Sequence, residues 1–143
     1  MQELEKMRQW LKTYPEWQEG WKLSADNTEG SSGSCGLFPQ GMEVTARYED
    51  VMGNITLRCR YGFYLEMMVS CDEKQEKTAQ EVMDLQNWVQ LQSIRRMTPA
   101  FGDVPEEETM KAEKGRLSRI RRPGIAGYQI CLTAEFTKYY EVM

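Results

Sequence analysis

The stretch LRCRYGFYLEMMV, residues 57–69, alternates strictly between two kinds of side chain. Leu57, Cys59, Tyr61, Phe63, Leu65, Met67 and Val69 share one face, while Arg58, Arg60, Gly62, Tyr64, Glu66 and Met68 share the other. Side chains alternate across a strand but recur every 3.6 residues on a helix, so this pattern predicts a long, half-buried antiparallel strand. Its apolar face needs covering, which fixes a sheet-based domain and directs attention to the flanking segments.

Upstream, Leu4, Met7, Leu11 and Tyr14 recur at three- and four-residue spacing, with Trp10 widening the stripe. They predict a helix over 2–14, stopped by Pro15, with Trp17 and Trp21 closing one end of the core. Downstream, Val82, Leu85 and Val89 between Thr78 and Gln92 predict a second helix ending near residue 93. Residues 42–49 alternate more weakly, with Met42, Val44 and Ala46 on one side. The turn around Asp50–Asn54 joins them to the long strand as a hairpin. A last alternation runs from Tyr128 to Tyr140 and puts Tyr128, Ile130, Leu132, Ala134 and Phe136 on one face. This final strand is expected beside 55–69. The order helix, strand, strand, helix, strand gives an α/β chain of the α+β type: a mainly antiparallel sheet packed against two helices.

The 143 residues suit a single domain spanning 1–143. Two stretches read as flexible connections. The first, near 26–36, holds Gly30, Ser31, Ser32, Gly33, Ser34 and Gly36 without the lysine of a phosphate-binding loop. The second, near 97–124, is punctuated by proline and glycine, and runs from an acidic group (Asp103, Glu106, Glu107, Glu108) into a basic one (Lys111, Lys114, Arg116, Arg119, Arg121, Arg122). Leu117 and Ile120 are its candidate anchors to the sheet.

The chemistry open to the chain is narrow. It contains no histidine, which removes the commonest general base and metal ligand and any Ser-His or Cys-His pair. Cys35, Cys59, Cys71 and Cys131 are widely spaced and read as free thiols. Glu66 and Glu135 would approach each other only if their strands paired in a suitable register; otherwise they lie on the wetter sheet face opposite Arg58 or Arg60. No enzyme activity, cofactor or metal site is expected. No run of apolar residues is long enough for a membrane span, and the first 20 residues lack the apolar stretch of a signal peptide. A net charge of -4 gives no general argument for nucleic-acid binding; only the basic run at 111–122 has the composition for phosphate contacts.

The mixed face of the long strand carries Arg58, Arg60, Tyr64 and Met68, residue types enriched at interface centres. With Tyr139 on the last strand and Arg119, Arg121 and Arg122 in the basic run, they are the candidate contacts to another subunit or partner. The acidic run is a candidate to meet the basic run of a neighbouring copy.

Three segments carry a likeness to a known family: LEKMRQWLKTYPEW with its proline stop, ITLRCRYGFYLEMMVS feeding EVMDLQNWVQLQ, and the closing GYQICLTAEFTKYYE. In this order the chain resembles the small tail terminator or minor capsid proteins of long-tailed bacteriophages and prophages. The resemblance implies a tail-terminator-like fold and a homo-oligomeric ring, typically a hexamer. Such a ring caps the major tail tube protein, stops its polymerisation and presents the surface that meets the head-completion or connector protein. DNA would pass through the lumen without sequence-specific recognition. The implied location is the virion head–tail junction, with the host bacterial cytoplasm during assembly or prophage expression. Another connector or tail-completion protein is the alternative, with a nucleic-acid-binding module or a small carboxylate enzyme more remote.

Overall fold

The computed structural model describes residues 3–17, 22–25, 34–70, 75–122 and 125–142. Helix α1 (Glu3–Leu11) and helix α2 (Gln75–Ile94) pack on one face of a five-stranded sheet. Its strands are β1 (Lys22–Ala25), β2 (Ser34–Glu49), β3 (Ile55–Ser70), β4 (Thr109–Arg122) and β5 (Ile125–Tyr140), in spatial order β1-β2-β3-β5-β4. The four long strands are antiparallel and β1 alone is parallel to its neighbour, an α+β fold.

The alternating stretch is the centre of the sheet. β3 pairs with β5 along its whole length, from Ile55↔Tyr140 to Ser70↔Ile125, and with β2 on its other side. Cys59, Phe63, Leu65 and Met67 from β3 meet Ile130, Leu132, Ala134 and Phe136 from β5 in the core. Met7 and Leu11 from α1 and Val82, Leu85 and Val89 from α2 close that core from above. Each large apolar side chain so buried contributes about 1.5–3 kcal/mol. Trp10 stacks on Trp88 at 5.0 Å between ring centroids, joining the two helices directly.

α1 ends three residues earlier than its apolar stripe. The amides of Thr13 and Tyr14 donate to the Trp10 and Leu11 carbonyls, and the Thr13 hydroxyl donates to Trp10 O at 2.6 Å. These tighter bonds unwind the last turn ahead of Pro15. Trp17 packs against the core as expected, whereas Trp21 lies outside the described residues. α2 stops where its pattern does. Arg96 takes φ 57°, its amide donates to Ser93 O, and the Met97 amide reaches back to Gln92 O. This is a Schellman closure with arginine where glycine is usual.

Three expectations need correction. The Ser/Gly-rich connection does not extend to residue 36: β2 begins at Ser34, and Cys35, Gly36 and Leu37 are buried. They sit between β1 and β3, so ladder hydrogen bonds on both sides outweigh the low strand propensity of serine and glycine. Residues 26–33 lie outside the described residues. Within β2, register shifts at Pro39/Gly41 and Val44/Ala46 break the alternation. Met42 and Val44 lie on the helix side but Ala46 does not, because the extra residue Thr45 turns the next part of the strand to the opposite face. The connection over 97–124 contains a 14-residue strand, β4. Met110 and Ala112 are buried in register with Ala134 and Leu132. Beyond them Lys114, at φ 58°, and three register shifts erase the period of two by which a strand is recognised.

Candidate assembly surface

On the helix-free face, β3 aligns Arg58 and Arg60 with Glu135 of β5. Arg58 donates to the Glu107 carbonyl at 3.2 Å and the Thr137 hydroxyl at 3.0 Å, and its second nitrogen lies 3.7 Å from Glu135. Arg60 stands between Glu43 at 3.7 Å and Glu135 at 3.9 Å. Its side chain separates two shallow hollows of about 230 and 240 Å³, one bordered by Gln40 and Gly62, the other by Lys111 and Glu113. Partly exposed pairs at these distances contribute little to stability. They do occupy the two arginines within their own chain.

The same face is drier towards the other end of β3. Met68 is fully buried and Glu66 is 3% exposed, so neither lies on a wet surface, and Met68 is withdrawn from the contact candidates. Tyr64 is half-buried, its hydroxyl hydrogen-bonded to the Gln129 side chain and its ring edge-on to Phe38 at 6.0 Å. Glu66 faces Gln129 while Glu135 faces Arg60, six residues apart along β5. At about 3.4 Å per residue that is roughly 20 Å, so the two carboxylates form no catalytic pair. The thiols are equally quiet. Burial pushes Cys35 up to about 12 and raises Cys59, which keeps both protonated and non-nucleophilic. Cys131 is a free thiol at the surface of the sheet, and Cys71 lies outside the described residues. Among the described residues no cluster of acidic or thiol side chains is arranged for a metal ion.

The acidic run is a fastening within the chain. Glu108 is buried and accepts the Phe101 amide at 2.7 Å and the Gly102 amide at 3.3 Å. Asp103 donates its amide to Thr137 O and accepts the Tyr139 amide at 2.8 Å, and Glu107 accepts the Thr137 hydroxyl. Residues 101–108 therefore strap across the end of β5, with Phe101 inserted between Phe63 and Phe136. Asp103, Glu107 and Glu108 of the acidic run are thus engaged within the chain. In that basic run the backbones of Arg119, Arg121 and Arg122 belong to β4; their side chains, with those of Leu117 and Ile120, lie outside the described residues.

The unsatisfied apolar surface lies elsewhere, where the hairpin and β5 extend past the helices. Tyr48, Tyr139, Tyr140 and Val142 are all exposed there, the turn between β2 and β3 adds Val51 and Met52, and Met42 and Val44 are exposed further along β2, opposite Tyr61 and Cys59. That turn is tightly built. Asp50 Oδ1 accepts the amides of Met52 and Asn54, both at 2.9 Å, and Asn54 Nδ2 donates to its other oxygen at 3.1 Å. Gly53, at φ 87°, supplies the left-handed residue, and Asn54 Oδ1 accepts the Val142 amide. Led by the Asn54 amide bond, these donors hold the Asp50 carboxyl below the usual carboxylate range.

Of the sequence-based candidates, then, Tyr139 lies in this exposed cluster, Arg58, Arg60 and Tyr64 are engaged internally, and Met68 is buried. Val51 and Met52 were legible only as a turn; the signal was two large apolar residues where polar turn formers are usual. Among the described residues no helix is long and apolar enough to cross a membrane. No protein-family model matches the chain, and no curated protein matches it at a significant level.

Proposed function

We propose that the protein is a structural assembly subunit that forms a closed homo-oligomeric ring on the end of a phage tail tube. The ring, a hexamer by the resemblance in sequence, terminates the tube and offers a joining surface to the head-completion or connector protein. Its location on this reading is the head–tail junction of a virion, with DNA passing through the lumen.

The observation that carries the reading is the exposed apolar side chains of the hairpin end, Tyr48, Val51, Met52, Tyr139, Tyr140 and Val142, held on a hydrogen-bonded ladder. Apolar surface left in water on a well-ordered element favours association with another protein surface. The internally paired arginines of the sheet face leave few cations there for a nucleic-acid contact.

The test is solution mass by light scattering across micromolar concentrations, joined to a pull-down with purified tail tube protein. A closed oligomer that binds tube ends is expected. A monomer throughout, with no tube binding, overturns the reading. Binding to a head or portal protein with no affinity for the tube reassigns the subunit to the connector.

A further inference from the structure

The turn at residues 50–54 is a knob without a use in its own subunit. Val51 is fully exposed and Met52 nearly so, yet both ride on a turn closed by four hydrogen bonds to Asp50 and its neighbours. A preordered apolar tip loses little conformational freedom on docking.

The chain also carries a hollow. Between α1 and the segment following α2 lies a mostly apolar groove of about 460 Å³, lined by Lys6, Trp10, Thr13, Met97, Pro99 and Ala100. It is preformed: the Trp10 indole donates to Met97 O at 3.1 Å, and Lys6 Nζ donates to Ala100 O at 2.8 Å. Met97 is 61% exposed at its mouth, and Ile94 beside it is more so. The turn cannot fold back into its own groove. The Val142 amide bond to Asn54 holds it against the end of β5, and neither Val51 nor Met52 lines the groove.

Charge matches shape. The tip bears Asp50, which stays ionised because its hydrogen bonds favour the carboxylate, and Glu141 lies alongside Val142, which is bonded to the turn. Glu49 is partly answered by Arg47 at 4.0 Å. The groove side bears Lys6 and, immediately before Met97, Arg95 and Arg96, both exposed. We infer that the Val51–Met52 tip of one copy docks in the groove between α1 and residues 97–100 of a second copy, an acidic-rimmed apolar knob in a basic-rimmed apolar hollow. Knob and hollow are different surfaces of one chain, so the contact is heterologous and repeats head to tail until it closes. The inference rests on the ring reading and supplies its subunit contact.

The experiment uses full-length protein with Val51→Asp and, separately, Met97→Glu, both at exposed positions. Far-UV circular dichroism checks that each variant keeps the fold. Light scattering is expected to show each variant dissociating at concentrations at least about 30-fold above those at which the parent does, as for loss of a central interface residue. Mixing the two variants is the decisive arm. Val51→Asp retains an intact groove and Met97→Glu an intact tip, so the mixture is expected to form one-to-one dimers and nothing larger. If the parent oligomerises but both variants do so equally well, the knob-and-groove contact is wrong and the ring reading stands. Dissociation of both variants with no dimer on mixing also overturns it. If the parent is monomeric at every concentration, both inferences fall.

Discussion

The two outer edges of the sheet are finished differently, and the contrast separates what the chain does for itself from what it leaves open. At the β4 edge the outward amides of Met110 and Ala112 donate to Ser93 Oγ at 2.9 Å and Gln90 Oε1 at 3.4 Å, both from α2. Where β4 stops, the strap at 101–108 takes over and satisfies Thr137 and Tyr139. At the β2 edge the short β1 covers only Ser34–Leu37, and among the described residues no strand pairs with the outside of Phe38–Glu49. That length is instead roughened by Pro39, two register shifts and the charges of Glu43, Arg47 and Glu49. Both finishes protect against indiscriminate strand addition. Only the second leaves its neighbourhood accessible, and it leads into the apolar tip.

The contrast can be broken from its foundation upward. Replacing Leu132 with Asp places an unpaired charge in the core that both edges depend on; loss of folding is expected, about 4 kcal/mol or more, seen as loss of cooperative thermal unfolding. Next in size is the strap. A Cβ at residue 102 would sit 2.3 Å from the Thr137 carbonyl oxygen, so Gly102→Ala must shift backbone. Glu108→Ala would leave the buried Phe101 amide without its acceptor. Each is expected to cost about 1–3 kcal/mol in urea unfolding, with amide exchange rising at Thr137 and Tyr139 and not along β2.

A smaller effect falls on the closed edge. Ser93→Ala together with Gln90→Ala removes the acceptors of two β4 amides and should cost about 1 kcal/mol for each, with faster exchange at Met110 and Ala112. On the open side the tip responds to acid. The Asp50 carboxyl is depressed in the folded turn, so its contribution is complete above the unfolded value near 3.8 and is lost as pH falls through the folded one. Amide protection at Met52 and Asn54 should therefore hold at pH 5 and decay only well into the acid range, and Asp50→Asn should weaken it at neutral pH. Smallest is Arg96→Gly, which relieves a left-handed arginine at the end of α2 and should stabilise by about 0.5–1 kcal/mol.

Legibility in the amino-acid sequence divides along the same line. β3 and β5 declare themselves because each buries one unbroken alternating face, and α2 because Val82, Leu85 and Val89 meet a core of matching width. β4 hides because it lies at an edge, where only Met110 and Ala112 of its described side chains are buried and left-handed Lys114 breaks the count. The first residues of β2 hide because partners on both sides, not their own propensity, make them a strand. The contact candidates fared unevenly for a related reason. Residue type marked Arg58, Arg60 and Met68, but residue type does not say whether Glu135, Thr137 or the fold itself already occupies them. The bare turn at Val51 had no periodicity to announce it.

The length of the central ribbon has one more consequence. β3 and β5 stay in register over 16 residue pairs, about 50 Å of chain before twist. A compact body of this size has a radius of gyration of only about 14–15 Å. The ribbon is clamped under the helices and pinned at Thr137 and Tyr139 by the strap, so that only its hairpin tip is a free end. A load on the free end is carried as shear across two hydrogen-bonded seams, β2–β3 and β3–β5, all of whose rungs must slip together. Such an arm transmits force along its length without first unravelling from one end.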